Sequence, residues 1–64
     1  MSVLDRILYL QRVYYDEYNQ SATVLQIGLH FYNDLLKELD VDDLKTLHGM
    51  RIDIISENTI KIEY

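Results

Sequence analysis

The chain has 64 residues, with 11 Asp+Glu against 6 Lys+Arg for a formal net charge of -5, and 48% of its residues are hydrophobic. That balance predicts one folded domain over residues 1–64, since disordered chains carry fewer apolar residues. The acid excess argues against direct nucleic-acid binding. The lack of Cys removes disulfides, thiolate zinc sites and thiol catalysis, and the short apolar runs predict neither a membrane span nor a signal-peptide core, hence a cytoplasmic protein.

Ser2, followed by Asp5, is a suitable N-cap. Val3, Ile7, Leu10, Tyr14 and Tyr18 then recur at helical spacing, with Leu4, Leu8 and Tyr15 in a second row. This predicts a long helix from Val3 to Tyr18, ended by the polar run Asn19-Gln20-Ser21. Its apolar stripe is wider than one contact face requires. Thr23 to Ile27 is short and β-branched, which favours a strand over the first turn of the next helix. Leu29, Tyr32, Leu36 and Leu39 predict a second helix, broken by Asp40-Val41-Asp42-Asp43, with Asp42 capping a single turn through Leu47.

Two alternating arms follow Gly49, Met50–Ile55 and Thr59–Tyr64. A three-residue loop at Ser56-Glu57-Asn58 pairs Met50 with Tyr64, Ile52 with Ile62 and Ile54 with Ile60. It also sets Arg51 opposite Glu63 and Asp53 opposite Lys61, so apolar and charged pairs sort by face. Such a loop wants a left-handed residue at its end, a role Asn58 tolerates. The expected fold is therefore α+β: a long helix, a short strand, a second helix and a C-terminal hairpin whose apolar side chains, Met50 to Tyr64, face the helices.

No constellation for catalysis or metal binding emerges. His30 and Asp34 have i,i+4 spacing, but Ser2, Ser21 and Ser56 occupy cap or turn positions and offer no matching nucleophile. His30 and His48 are too few for a zinc site within one chain. Counting from Asp40, the sixth and twelfth residues are Lys45 and Arg51, where a calcium loop needs Gly and Glu. No phosphate-loop glycine pattern surrounds Gly28 or Gly49. No cofactor is expected.

The densest recognition chemistry is Tyr14-Tyr15-Asp16-Glu17-Tyr18 with Arg12 nearby. Tyr combines a flat apolar body with a polar tip. Tyr14, Tyr15, Tyr18 and Arg12 are the candidate binding residues, although Tyr14 and Tyr18 equally continue the helix stripe into a core or interface.

Thr23-Val24-Leu25-Gln26-Ile27-Gly28, then Phe31-Tyr32-Asn33-Asp34-Leu35-Leu36, then Leu47-His48-Gly49-Met50-Arg51-Ile52 together resemble a pattern of small tailed-phage accessory proteins. There a short strand, a helix with Tyr and Leu, and a Leu-x-Gly-Met-x-Ile segment lead into a hairpin. The resemblance spans Thr23 to Tyr64 and implies a small viral accessory protein in the host cytoplasm, with no catalytic residue.

A domain near 60 residues buries only about 60% of its unfolded surface, so a small scaffold without staples often relies on a partner. The expectation is a non-enzymatic, acidic binding protein that self-associates as a dimer or higher oligomer through the first helix. Its partner is a host protein that it inhibits. The alternatives are an oligomer sequestering a signalling nucleotide in pockets between subunits, with Tyr faces and Arg6, Arg12 or Arg51 on the phosphates, and a structural or assembly protein.

Overall fold

The computed structural model describes residues 2–64. Two helices and four strands follow in the order α1 (Val3–Tyr18), β1 (Val24–Gly28), α2 (Leu29–Leu39), β2 (Thr46–Leu47), β3 (Met50–Ile55) and β4 (Ile60–Glu63). The α+β class holds, both helices have the expected bounds, and the segment before Gly28 is a strand. The arrangement of the strands differs from expectation. The sheet order is β2-β3-β1-β4, with β1 parallel to β3 and antiparallel to β4.

The expected C-terminal hairpin therefore does not form: β1 lies between its two arms. The row assignment nevertheless survives. Ile52, Leu25 and Ile62 form one row across the sheet, and Ile54, Ile27 and Ile60 the next. On the opposite face Arg51, Val24 and Glu63 share a row, as do Asp53, Gln26 and Lys61. The arms keep their mutual register while standing about 10 Å apart, two inter-strand spacings instead of one. Inserting β1 is favourable because Leu25 and Ile27 become fully buried and its backbone pairs on both sides.

The connection from β3 to β4 consequently arches over the end of β1. The Gly28 N–H donates to Thr59 O at 2.8 Å. A Cβ on Gly28 would lie 2.5 Å from Glu57 O, closer than any side chain tolerates. Asn58 is not left-handed, because the segment is an arch and not a tight hairpin loop. It is instead the centre of a γ-turn, with the Thr59 N–H donating to Glu57 O at 3.0 Å.

The tight hairpin in this molecule lies earlier, between β2 and β3, where Leu47 pairs with Met50. Its central residues His48 and Gly49 both have positive φ, at 49° and 81°, the signature of the turn that matches strand twist. The single helical turn expected from Asp42 to Leu47 is absent. Asp40 takes a left-handed conformation and ends α2, with the Val41 N–H donating to Leu36 O at 3.1 Å. The Tyr32 hydroxyl then occupies the backbone groups a helical turn would use: it accepts from the Leu44 N–H at 3.1 Å and donates to Asp43 Oδ1 at 2.8 Å, with Leu44 O at 3.2 Å. The Leu44 amide bond lowers the phenol pKa, but desolvation and the bond and charge of Asp43 outweigh it, leaving the pKa raised.

The core lies on one face of the sheet, centred on Ile7, Leu25, Ile27, Leu35 and Met50. Met50 and Ile60 are buried, and Ile52 and Ile62 are half-buried against the core. Two members of the expected helix-facing set are left uncovered by the helices: Ile54, in the row of Ile27, is 52% exposed and Tyr64, one residue past β4, 70%. The other sheet face, with Gln26, Arg51, Asp53, Lys61 and Glu63, is polar and uncovered. Among the described residues no helix is long and apolar enough to cross a membrane.

Helix α1 is fixed at its start by the local Ser2 cap, which accepts from the Asp5 N–H at 3.0 Å, and by a distant carboxylate. Glu38, near the end of α2, accepts from the Val3 N–H at 2.8 Å and the Leu4 N–H at 3.0 Å. These are orphan donors of a first helical turn. The Leu4 amide, then that of Val3, hold the Glu38 carboxyl below its ordinary range, against desolvation; a bond from Ser2 adds to the lowering and the Asp5 charge opposes it.

Two outcomes are expected. Gly28→Ala should lower stability by about 1–3 kcal/mol, the usual cost of forcing atoms into filled space, seen as an earlier urea midpoint; an unchanged midpoint would contradict the close arch. Glu38 is more acidic folded than unfolded, so the folded state binds fewer protons. Its contribution is complete above the ordinary carboxylate range and disappears as pH falls through the folded value. Urea midpoints taken from about pH 7 to about pH 3 should therefore fall less steeply on the acid side for Glu38→Gln than for the parent chain.

Candidate functional site

Two surface concavities stand out. One, of about 420 Å³, is a shelf around the end of α2 lined by Asn33, Leu36, Lys37, Asp40, Val41 and Asp42. The backbone groups that terminate a helix are already bonded there, through Asp40 and Val41. The other, of about 400 Å³, is a groove between the second half of α1 and β4, lined by Leu10, Val13, Tyr14, Glu17, Tyr18, Ile60, Lys61, Ile62 and Glu63.

The groove follows from helical spacing meeting a strand edge. Leu10, Tyr14 and Tyr18 lie on the same side of α1 at i,i+4 steps, with Val13 and Glu17 beside them. The rings of Tyr14 and Tyr18 are 4.6 Å apart, centroid to centroid, and tilted by 45°, a favourable aromatic pair. Tyr14 packs against the core, whereas Tyr18 is 58% exposed. Asn19 ends the helix in a left-handed conformation, its N–H donating to Tyr15 O at 2.8 Å. The floor consists of Ile60 and Ile62, and the charged rim of Glu17, Lys61 and Glu63.

Of the four residues singled out from the sequence, the groove brings together Tyr14 and Tyr18. Tyr15 is exposed beside them and does not line it. Arg12 does not join the cluster: two residues before Tyr14, it is rotated about 200° from it on the helix and points away from the groove. Val13, Ile60, Ile62, Lys61 and Glu63 were not anticipated. The signal for Val13 was present in its i+3 relation to Leu10; that of β4 depended on which strand lies at the edge.

The three arginines assigned to phosphates do not converge. Arg6 lies over the Phe31 ring at 5.3 Å. Arg51 is bonded to Asp53, at 3.3 Å from Nε and 3.2 Å from an Nη, on the uncovered sheet face. Arg12 lies on the exposed side of α1. Among the described residues that line the groove Lys61 is the single cation, itself 2.9 Å from Glu57, against Glu17 and Glu63. His30 and Asp34 are exposed on α2. Among the described residues no group of three His, Asp or Glu is placed to hold a metal ion.

Scaffold and contact roles should separate by mutation. Tyr14→Ala is expected to cost roughly 1–3 kcal/mol through lost burial. Tyr18→Ala should cost at most about 1 kcal/mol, mainly the lost ring pairing. Equal shifts in urea midpoint for the two would place both rings in the core.

Compared with known proteins, the chain matches no family model, no curated protein and no solved structure.

Proposed function

We propose that this chain is a non-enzymatic protein-binding module whose contact surface is the α1–β4 groove together with the outer edge of β4. One observation carries the reading: β4 ends the sheet, so one side of its backbone has no strand neighbour, directly beside an apolar groove with exposed Tyr18 and Val13. An open strand edge offers main-chain hydrogen bonds, and adjacent side-chain pockets supply selectivity. Tyr is well suited to such a surface because much area is ordered at little entropic cost.

The chain's charge of -5 steers it towards basic partners. With the resemblance to tailed-phage accessory proteins, this favours a host protein as the target and inhibition by occlusion as the mode of action. A nucleotide sponge is less well supported, since Glu17 and Glu63 outweigh Lys61 in the groove and the arginines are dispersed.

Hydrogen exchange tests the surface. The carbonyls of Thr59 and Glu63 point to β1, accepting from Gly28 and Thr23 N–H at 2.8 and 2.9 Å. Antiparallel strands alternate, so the amides of Ile60 and Ile62 point outward and should exchange quickly in the monomeric chain. Addition of a purified partner should slow those two amides, and Val13→Asp with Tyr18→Ser should abolish the protection without changing the circular dichroism. Binding that leaves Ile60 and Ile62 unprotected would place the contact surface elsewhere.

A further inference from the structure

The edge of β4 has a charge pattern that selects its own copy. Even-numbered residues there direct N–H and C=O outward, as derived above. Two β4 strands pairing antiparallel about a two-fold axis must therefore set even residues opposite even residues, in hydrogen-bonded pairs. Three central registers satisfy this. With Ile60 opposite Ile62 of the second copy, Lys61 faces Lys61. With Ile62 opposite Tyr64, Glu63 faces Glu63. With Ile62 opposite Ile62, Lys61 faces Glu63 of the second copy, and Glu63 faces its Lys61. Like charges directly opposite destabilise a strand pair, whereas opposite charges stabilise it. Only the last register is complementary, and it is complementary at both positions.

The faces agree as well. Directly opposed residues share a face of the sheet. In this register Ile60, Ile62 and Tyr64 lie on the helix-covered face and would meet Tyr64, Ile62 and Ile60 of the second copy, adding apolar area beside the groove. Tyr64, 70% exposed in the single chain, gains Ile60 of the copy as a neighbour. Lys61 and Glu63 remain on the polar face, where their charges need no burial. The axis runs perpendicular to the sheet, so α1 of both copies lies on the same side. A lone Lys on an edge strand ordinarily repels other strands; Glu63 two residues later turns that guard into a filter.

We propose that the occupant of the β4 edge is a second copy of this chain, joined through Ile62 opposite Ile62 into one continuous sheet across both copies. This rests on the reading of the β4 edge as the contact surface and sets a second copy there in place of a host protein.

Charge reversal distinguishes this register from any other self-association. Sedimentation of the parent chain at sub-millimolar concentration should give a dimer. Lys61→Glu and Glu63→Lys are substitutions at exposed positions, each creating two like-charge pairs, and each should weaken dimerisation about tenfold. An equimolar mixture of the two variants should restore it, because the two acidic edge positions of the Lys61→Glu chain then face the two basic edge positions of the Glu63→Lys chain. The loss of the Lys61–Glu57 contact in Lys61→Glu is the same alone and in the mixture, so it does not account for rescue. A parent chain that stays monomeric, or variants that associate no better together than apart, would overturn self-pairing. If the monomeric chain still shows Ile60 and Ile62 protection with a different protein, self-pairing fails and the contact-surface reading stands. Dimerisation that leaves Ile60 and Ile62 unprotected overturns self-pairing through β4.

Discussion

The position of β1 between β3 and β4 is the constraint on which the rest of the molecule depends. It gives a chain of 64 residues a strand paired along nearly its whole length on both sides, and so a place where apolar side chains are covered completely. Leu25 and Ile27 are fully buried there, beneath α1 and α2, together with Ile7, Leu35 and Met50. A scaffold this small has little core to spare, and a two-stranded hairpin lying apart from β1 would leave each strand half covered. The close passage of Glu57 over Gly28 is the local condition for this arrangement. Bulk on either side of that contact acts on the whole sheet.

The second organising element is α1, which residues 19–23 join to β1 and which docks over the sheet. Its beginning is held by Glu38 through two main-chain bonds, and its middle by the buried Ile7. Gln11 adds a bond from its side-chain amide to His48 O at 3.0 Å, tying the helix to the turn between β2 and β3. Fixed along this length, α1 brings its second half to β4 and creates the groove. The groove is thus a consequence of helix docking. Polar contacts at one end of α1 position aromatic rings at the other.

Much of this was legible in the sequence, for identifiable reasons. Helical periodicity located α1 and α2 because each has one apolar stripe facing one core. Alternation located β3 and β4, and sorting charges by face yielded the correct rows across the sheet. Strand adjacency was not legible. Ile52 and Ile62 satisfy the same alternation whether they touch or have Leu25 between them, since each row keeps its polarity when another apolar strand enters it. The turn expected after Asp42 failed because Tyr32, 12 residues away from Leu44, captures its backbone, and no local rule registers a partner at that distance. Of the candidate binding residues, Tyr14 and Tyr18 line the groove, as their i,i+4 spacing on one helix side requires. Arg12 was placed with them on proximity in sequence, where rotation about the helix axis separates it.

The inserted strand also has a kinetic consequence. β1 is made early, yet its two neighbours are β3 and β4, which are synthesised after it, and Thr23 bonds to Glu63 some forty residues away. Contacts of such separation in sequence slow folding, because the loop must close before the contacts compensate. Until residues 50–63 have emerged, Leu25 and Ile27 have no strand beside them, and α1 lacks the β4 surface against which it packs. The chain should therefore acquire its sheet late and in one cooperative step, with the helices as transient structure beforehand. A nascent chain of this design spends its vulnerable period with its most buried strand unpaired on both sides.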